Sequence, residues 1–232
     1  MSRLPLPVAL LLACTIVLTA CGGSGKEKEA ASATATATAG ETPAPAQTAG
    51  CQKVAKPKPR KPAKLPTPKE TLQAGKTYVA HVVTNCGQFD ITLDAKRAPK
   101  TGGSFKYLAD KKFFDNLTFH RIVPGFVIQG GDPQGDGSGG PGYSIKEAPP
   151  QDLAYSKGVV AMAKTGTEPA GTSGSQFFVV TGEDAGLPPD YALLGKVSKG
   201  QDVVDRIGVT PAGPDEQPVD PVVIRQIRVT QS

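Results

Sequence analysis

The residues from Phe119 to Asp132 read FHRIVPGFVIQGGD. One arginine, Arg121, stands in an apolar run; Pro124 and Gly125 interrupt it, and a second apolar run leads to Gln129. There is no thiol, no hydroxyl and no cluster of metal ligands here, so neither a covalent nucleophile nor a metal-activated water fits the stretch. A guanidinium is permanently charged and holds its donors in a rigid fork. Fixed in place, it can stabilise charge that develops on a bound molecule.

If Arg121 and Gln129 are to act together they must share one face, which constrains the hairpin. A plain two-residue turn at Pro124-Gly125 pairs residue 121 with residue 128 and turns Gln129 away, because strand side chains alternate. One extra residue restores the pairing, and Gly125 is the natural place for a bulge.

The elements around this hairpin are mostly short strands. Apolar or alternating runs occupy 77–83, 88–93, 117–123, 126–130, 158–163, 176–181, 192–197 and 222–230. The Thr84-Asn85-Cys86-Gly87 stretch between the first two suits a hairpin turn. Helices are expected near 102–111, capped by Thr101 and weakened by Gly102 and Gly103, and over the amphipathic 200–207. Evenly spaced strands with two helices predict a mainly β, closed antiparallel barrel or a sandwich. The glycine-rich run GGDPQGDGSGGPG at 130–142 contains a GxGxxG spacing and a calcium-loop-like start. However, no helix follows the first, and Tyr143 stands where the second needs a bidentate Glu. The run reads as a flexible surface loop.

FHRIVPGFVIQGGD, together with GVVAMAKTG at 158–166, GSQFFVVT at 174–181 and LLGKV at 193–197, resembles the cyclophilin family of peptidyl-prolyl cis-trans isomerases from about Tyr78 to Val229. The resemblance implies an eight-stranded antiparallel barrel closed by two helices, and rotation about X-Pro bonds without any cofactor or metal. It assigns Arg121 as the catalytic guanidinium, Gln129 as its support and His120 as an accessory site residue. Phe126, Val127, Phe178 and Leu187 would wall a slot for the prolyl ring. Gln176 and the backbone at Ala163 and Lys164 would hold the preceding residues, and Tyr191 would stand at the rim. Phe177, of opposite parity to Phe178, belongs to the core. The chain has no Trp, and Lys164 stands where the family often has Asn, so cyclosporin binding is not expected.

The remainder of the chain concerns location. Residues 4–20, LPLPVALLLACTIVLTA, follow Arg3 and are too short and too broken by proline to favour a spanning helix. Leu18-Thr19-Ala20-Cys21 resembles the lipobox of bacterial lipoproteins, which implies a signal peptide over 1–20, lipidation at Cys21 and a place at the cell membrane, facing away from the cytoplasm. Residues 21–70 are Ala/Thr-rich and then Pro/Lys-rich, with too few large apolar side chains to offset chain entropy, and read as a disordered linker before a domain at 71–232. That domain holds 16 basic and 17 acidic residues, so the formal charge of +5 belongs to the linker and the domain is no nucleic-acid binder. A basic linker either lies against anionic headgroups or wall polymers, or is simply solvated and extended. Cys51 and Cys86 either pair outside the cytoplasm or remain free thiols. The expected partners are proline-containing unfolded or flexible polypeptides and, through the anchor, the membrane; the expected state is a monomer. Three functions compete: an isomerase for extracytoplasmic folding, a non-catalytic proline-peptide chaperone or scaffold, and a surface interaction protein acting through the linker.

Overall fold

The computed structural model describes residues 50–232. The signal segment 1–20, Cys21 and most of the Ala/Thr-rich stretch lie outside the described residues. Eight strands close a barrel: β1 (Tyr78–Thr84), β2 (Gly87–Leu93), β3 (Leu117–Val123), β4 (Val127–Asp132), β6 (Val159–Met162), β8 (Phe177–Val180), β9 (Leu193–Lys199) and β10 (Val223–Gln231). Around the barrel the order is β1-β10-β3-β4-β8-β6-β9-β2, every pairing antiparallel. A small separate sheet joins β5 (Ile145–Lys146) to β7 (Thr172–Ser173). The expected eight-stranded barrel with two helices is the fold observed.

The two helices are α1 (Pro99–Asp110) and α2 (Gln201–Gly208). Thr101 does not cap α1, contrary to expectation. Pro99 begins the helix, and the Glu147 carboxylate caps it from a distant loop, accepting from the N–H groups of Lys100 and Thr101 and from the Thr101 hydroxyl. Gly102 and Gly103 cost helix propensity but leave room for the incoming chain: a Cβ on Gly102 would strike Leu72, and one on Gly103 would strike the Glu70 carbonyl.

Two apolar clusters share the barrel wall. The interior holds Phe89, Phe105, Phe114, Phe119, Ile122, Ile128, Val160, Met162, Phe177 and Val179. A second cluster holds Val127, Tyr155, Val159, Ala161, Phe178, Val180 and Leu193. Alternate residues of β6 and β8 therefore serve opposite faces, and both strands are buried throughout. A strand covered on both faces reads as a continuous apolar run, which is why VVAM and FFVV do not alternate.

Residues 50–70 differ most from expectation. Instead of a disordered linker, they run without regular secondary structure along the outside of the barrel. Cys51 forms a disulfide with Cys86 in the β1–β2 turn, and the N–H groups of Gln52, Arg60 and Leu65 donate to the carbonyls of Asn85, Pro133 and Pro141. Val54, Pro57, Ala63 and Leu65 are half-buried in the process. The packed unit therefore begins before residue 71.

Candidate active site

Arg121 lies opposite Gln129 across the β3–β4 hairpin. The connection holds three residues, Pro124 to Phe126, with Gly125 at φ 72° and the Phe126 N–H donating to the Val123 carbonyl at 3.0 Å. Pro124 then Gly125 with positive φ are the residues a type II turn needs. The extra residue needed to align Arg121 with Gln129 is thus present at the turn. A further irregularity falls at His120, which is left without a partner between the Phe119–Gly130 and Arg121–Gln129 pairs. The bulge lets Phe119 and Ile122, three apart, both enter the interior.

The guanidinium is held on two sides. Its Nε donates to the Glu216 Oε2 at 2.5 Å, and its Nη1 to the Gln129 Oε1 at 3.4 Å. Its Cζ stands 5.9 Å from the Phe126 ring centroid, within cation–π range. Glu216 is itself placed by its backbone, because its carbonyl accepts from the Ile122 N–H at 2.8 Å and its φ is 61°. Arg121 is in an ion pair, but the contact takes its Nε and leaves it beside Phe126, with about a third of its side chain exposed.

Gln129 passes the connection on: its Nε2 donates to the Gln176 Oε1 at 3.0 Å, and the Gln176 Nε2 donates to the carbonyls of Gly137 and Gly139 at 2.8 and 2.9 Å. The glycine-rich loop is consequently tied down rather than loose. Its other end is held by the Asp132 carboxylate, which accepts from the N–H groups of Gln134, Asp136 and Gly137.

Phe126, Val127, Phe178, Leu187, Ala163 and Tyr191 all belong to the cluster outside the barrel interior. Phe178 sits opposite Gln129 across β4 and β8 and meets Tyr191 edge to face at 5.4 Å. Phe177 turns inward among Phe105, Phe114 and Phe119, as its parity requires. The Ala163 N–H donates to the Gln176 carbonyl, and the Lys164 ammonium lies 5.3 Å from the Tyr191 ring centroid. Arg121, Gln129, Gln176 and Lys164 meet this cluster at Phe126, Phe178, Ala163 and Tyr191 respectively.

His120 differs. It is buried, neither ring nitrogen has a hydrogen-bond partner, and burial is the main reason its pKa lies below the ordinary histidine value, with Asp132 opposing. It is enclosed at the bulge, between the Phe119–Gly130 and Arg121–Gln129 pairs. Two contributors were not visible in the sequence. Glu216 lies 95 residues from Arg121 in a Pro/Asp-rich loop with no pattern. Tyr155, outside every element expected from the sequence, is buried; its hydroxyl donates to the Tyr191 carbonyl at 2.6 Å and accepts from the Tyr191 N–H at 3.0 Å. Burial pushes its pKa up to about 12. Among the described residues no group of three or more His, Cys, Asp or Glu is arranged to hold a metal ion.

Residues 79–229 match the family model for the cyclophilin type peptidyl-prolyl cis-trans isomerase. Peptidyl-prolyl cis-trans isomerase A of Mycobacterium tuberculosis is 37% identical over 172 residues, which cover 66% of this chain and 93% of that protein. Peptidyl-prolyl cis-trans isomerase-like 2 of Cryptococcus neoformans is 37% identical over 175 residues, but the chain spans only 30% of its length. Among solved structures, a cyclophilin type isomerase of Cryptosporidium parvum superposes with a TM-score of 0.63 at 29% identity, covering 66% of this chain and 98% of that one. A second structure of the same protein, in the presence of the dipeptide Ala-Pro, gives 0.62. With the family model matched over residues 79–229 and a closed eight-stranded barrel that superposes on a solved member, the chain belongs to the cyclophilin family of peptidyl-prolyl cis-trans isomerases.

Proposed function

We propose that this protein accelerates cis-trans rotation about X-Pro bonds in polypeptides folding outside the cytoplasm, with Arg121 as the catalytic group. The observation that carries the proposal is the guanidinium of Arg121 held by Glu216 and Gln129 beside an apolar surface of Phe126, Val127 and Phe178. Rotation about a peptide bond faces a barrier of ~18–20 kcal/mol because the nitrogen lone pair is delocalised into the carbonyl. X-Pro isomers differ by about 1 kcal/mol or less, yet exchange in tens to hundreds of seconds. Turnover of roughly 10–10³ per second needs about 4–6 kcal/mol off that barrier. In the twisted amide the lone pair is localised on nitrogen, and a donor aimed there stabilises the twisted state more than either planar one. No bond is made or broken, so the reaction calls for no nucleophile or proton carrier. The enclosed His120, with no hydrogen-bond partner on its ring, accords with that.

The Ala-Pro dipeptide accompanying the Cryptosporidium structure supports a prolyl ligand, which here would place its ring against Phe126, Phe178 and Leu187. The Cys51–Cys86 disulfide supports an oxidising compartment. With the lipobox-like Leu18-Thr19-Ala20-Cys21, it favours a membrane-anchored protein facing away from the cytoplasm. A peptide-holding role with incidental turnover draws on the same surface. The deciding experiment is the cis-to-trans relaxation rate of a chromogenic X-Pro peptide with the purified protein. Acceleration of at least 10³ over the uncatalysed rate is expected, and peptide binding without acceleration would leave the holding role alone. Mass spectrometry of the native N-terminus tests lipidation at Cys21.

A further inference from the structure

The Pro/Lys-rich stretch before the family-matched region is built into the wall of the groove. We propose that residues 51–65 form a strap that completes the substrate site, with Pro62 and Ala63 contacting the polypeptide on one flank of the proline. The identity of that occupant rests on the isomerase reading; the strap's place in the groove rests on its own contacts.

Its attachment is continuous. Beyond the disulfide, the Gln52 N–H donates to the Asn85 carbonyl at 2.8 Å and the Asn85 side chain donates back to the Gln52 carbonyl at 2.7 Å. At the middle, the Arg60 N–H donates to the Pro133 carbonyl at 2.8 Å, while its guanidinium donates to the Phe113 carbonyl and lies over the Phe113 ring at 5.6 Å. Near the end, the Leu65 N–H donates to the Pro141 carbonyl at 2.9 Å. Gly142, at φ 87°, has no side chain where the Ala63 carbonyl passes, and a Cβ there would collide with it. Prolines at 57, 59, 62 and 66 restrict the unbound segment, so less entropy is lost when it is laid down.

Pro133 and Pro141 bracket the glycine-rich loop, whose Gly137 and Gly139 carbonyls hold the Gln176 side chain. Gln176 holds Gln129, and Gln129 meets Arg121. The strap therefore steadies the loop that orients the polar side of the site. It also faces the same space: a cleft of about 720 Å³ is lined by Pro62 and Ala63 of the strap, Gly140 and Tyr143 of the loop, and Gln129 and Gln176 of the site. The prolyl slot at Phe126 and Phe178 is walled by other residues, so a bare dipeptide seated there enters only the end of the cleft at Ala163 and Gln176 and does not extend to the strap. A longer extended peptide does. The ligand class that the strap selects is thus a polypeptide of several residues around the proline.

Pro62 is exposed and lines the cleft, so it can be enlarged without opening the core. Turnover would be compared for a blocked Ala-Pro dipeptide and an octapeptide with Ala-Pro at its centre. In Pro62→Trp, kcat/KM for the octapeptide should fall at least fivefold through KM, with the dipeptide within twofold of wild type; Pro62→Ala should restore the octapeptide. An unchanged octapeptide, or equal losses on both substrates, overturns the proposal. Amide resonances of Ala63 and Gly142 should also shift when the octapeptide is titrated into the full chain. If those shifts occur but neither peptide is turned over, the isomerase reading fails and the strap's role stands. If turnover is present and the strap resonances do not move, the strap's role fails alone.

Discussion

Replacing Arg121 with Ala removes the guanidinium while leaving the slot residues in place. Its Nε–Glu216 contact is 2.5 Å, but the two side chains are 34% and 45% exposed, so the ion pair contributes little to stability. The freed Glu216 carboxylate stays hydrated, and unfolding should change by less than about 1 kcal/mol. The effect on rate should be far larger. A positioned donor at a developing charge is worth ~10²–10³ in rate, about 2.7–4 kcal/mol, and partial exposure of Arg121 favours the lower end. Against a requirement of about 4–6 kcal/mol, that is roughly half or more. The measurement is the relaxation of a cis-enriched X-Pro peptide, with thermal unfolding as a control. Arg121→Ala should lose roughly 10²-fold or more in kcat/KM with little change in KM. Arg121→Lys should recover little of it, since one ammonium cannot serve Glu216, Gln129 and the substrate together. If Arg121→Ala keeps a third of wild-type kcat/KM, the site works by enclosure and the electrostatic account is wrong.

Other tests probe what surrounds the arginine. Glu216→Gln should lower kcat about three- to tenfold at unchanged KM, as the guanidinium loses the charged member of its pair; a faster variant would mean that Glu216 restrains the arginine instead of aiming it. Tyr155→Phe removes two hydrogen bonds to the Tyr191 backbone. It should cost about 1–3 kcal/mol and raise KM as the rim loosens, with an unchanged Tm counting against the clamp. His120 has a folded pKa below its unfolded one, through burial opposed by Asp132 and Asp136 and reinforced by Arg121. The unfolded chain then binds the extra proton, so stability is full above pH ~6.5 and declines as pH falls from there toward the folded pKa, by at most about 1.36 kcal/mol per pH unit. His120→Asn should flatten denaturation midpoints between pH 7.5 and 5.5 relative to wild type; an identical slope in both would exclude His120 as the cause.

Most of the site residues were legible through the family resemblance, and part of their arrangement through strand parity. Phe177 and Phe178 divided as their spacing required. The hairpin irregularity followed from needing Arg121 and Gln129 together, although part of it lies at His120 and not at Gly125. The strap was not legible, and the reason is physical. Composition measures whether a segment can bury its own apolar surface, whereas residues 51–65 use the barrel's surface, borrowed carbonyls and one covalent bond. Glu216 was hidden because its role depends on a positive φ and a contact 95 residues away, neither of which leaves a local pattern. The cap on α1 came from Glu147 for the same reason.

The disulfide has a mechanical consequence. Tension applied to the chain ahead of residue 50 enters the barrel at Cys86 in the β1–β2 turn, through a covalent bond. The hydrogen bonds of Arg60 and Leu65 lie downstream of that junction and are shielded from the pull. With the bond reduced, the same tension would reach them one after another, unzipping the segment toward Leu72 and stripping one wall from the groove before any strand of the barrel is strained.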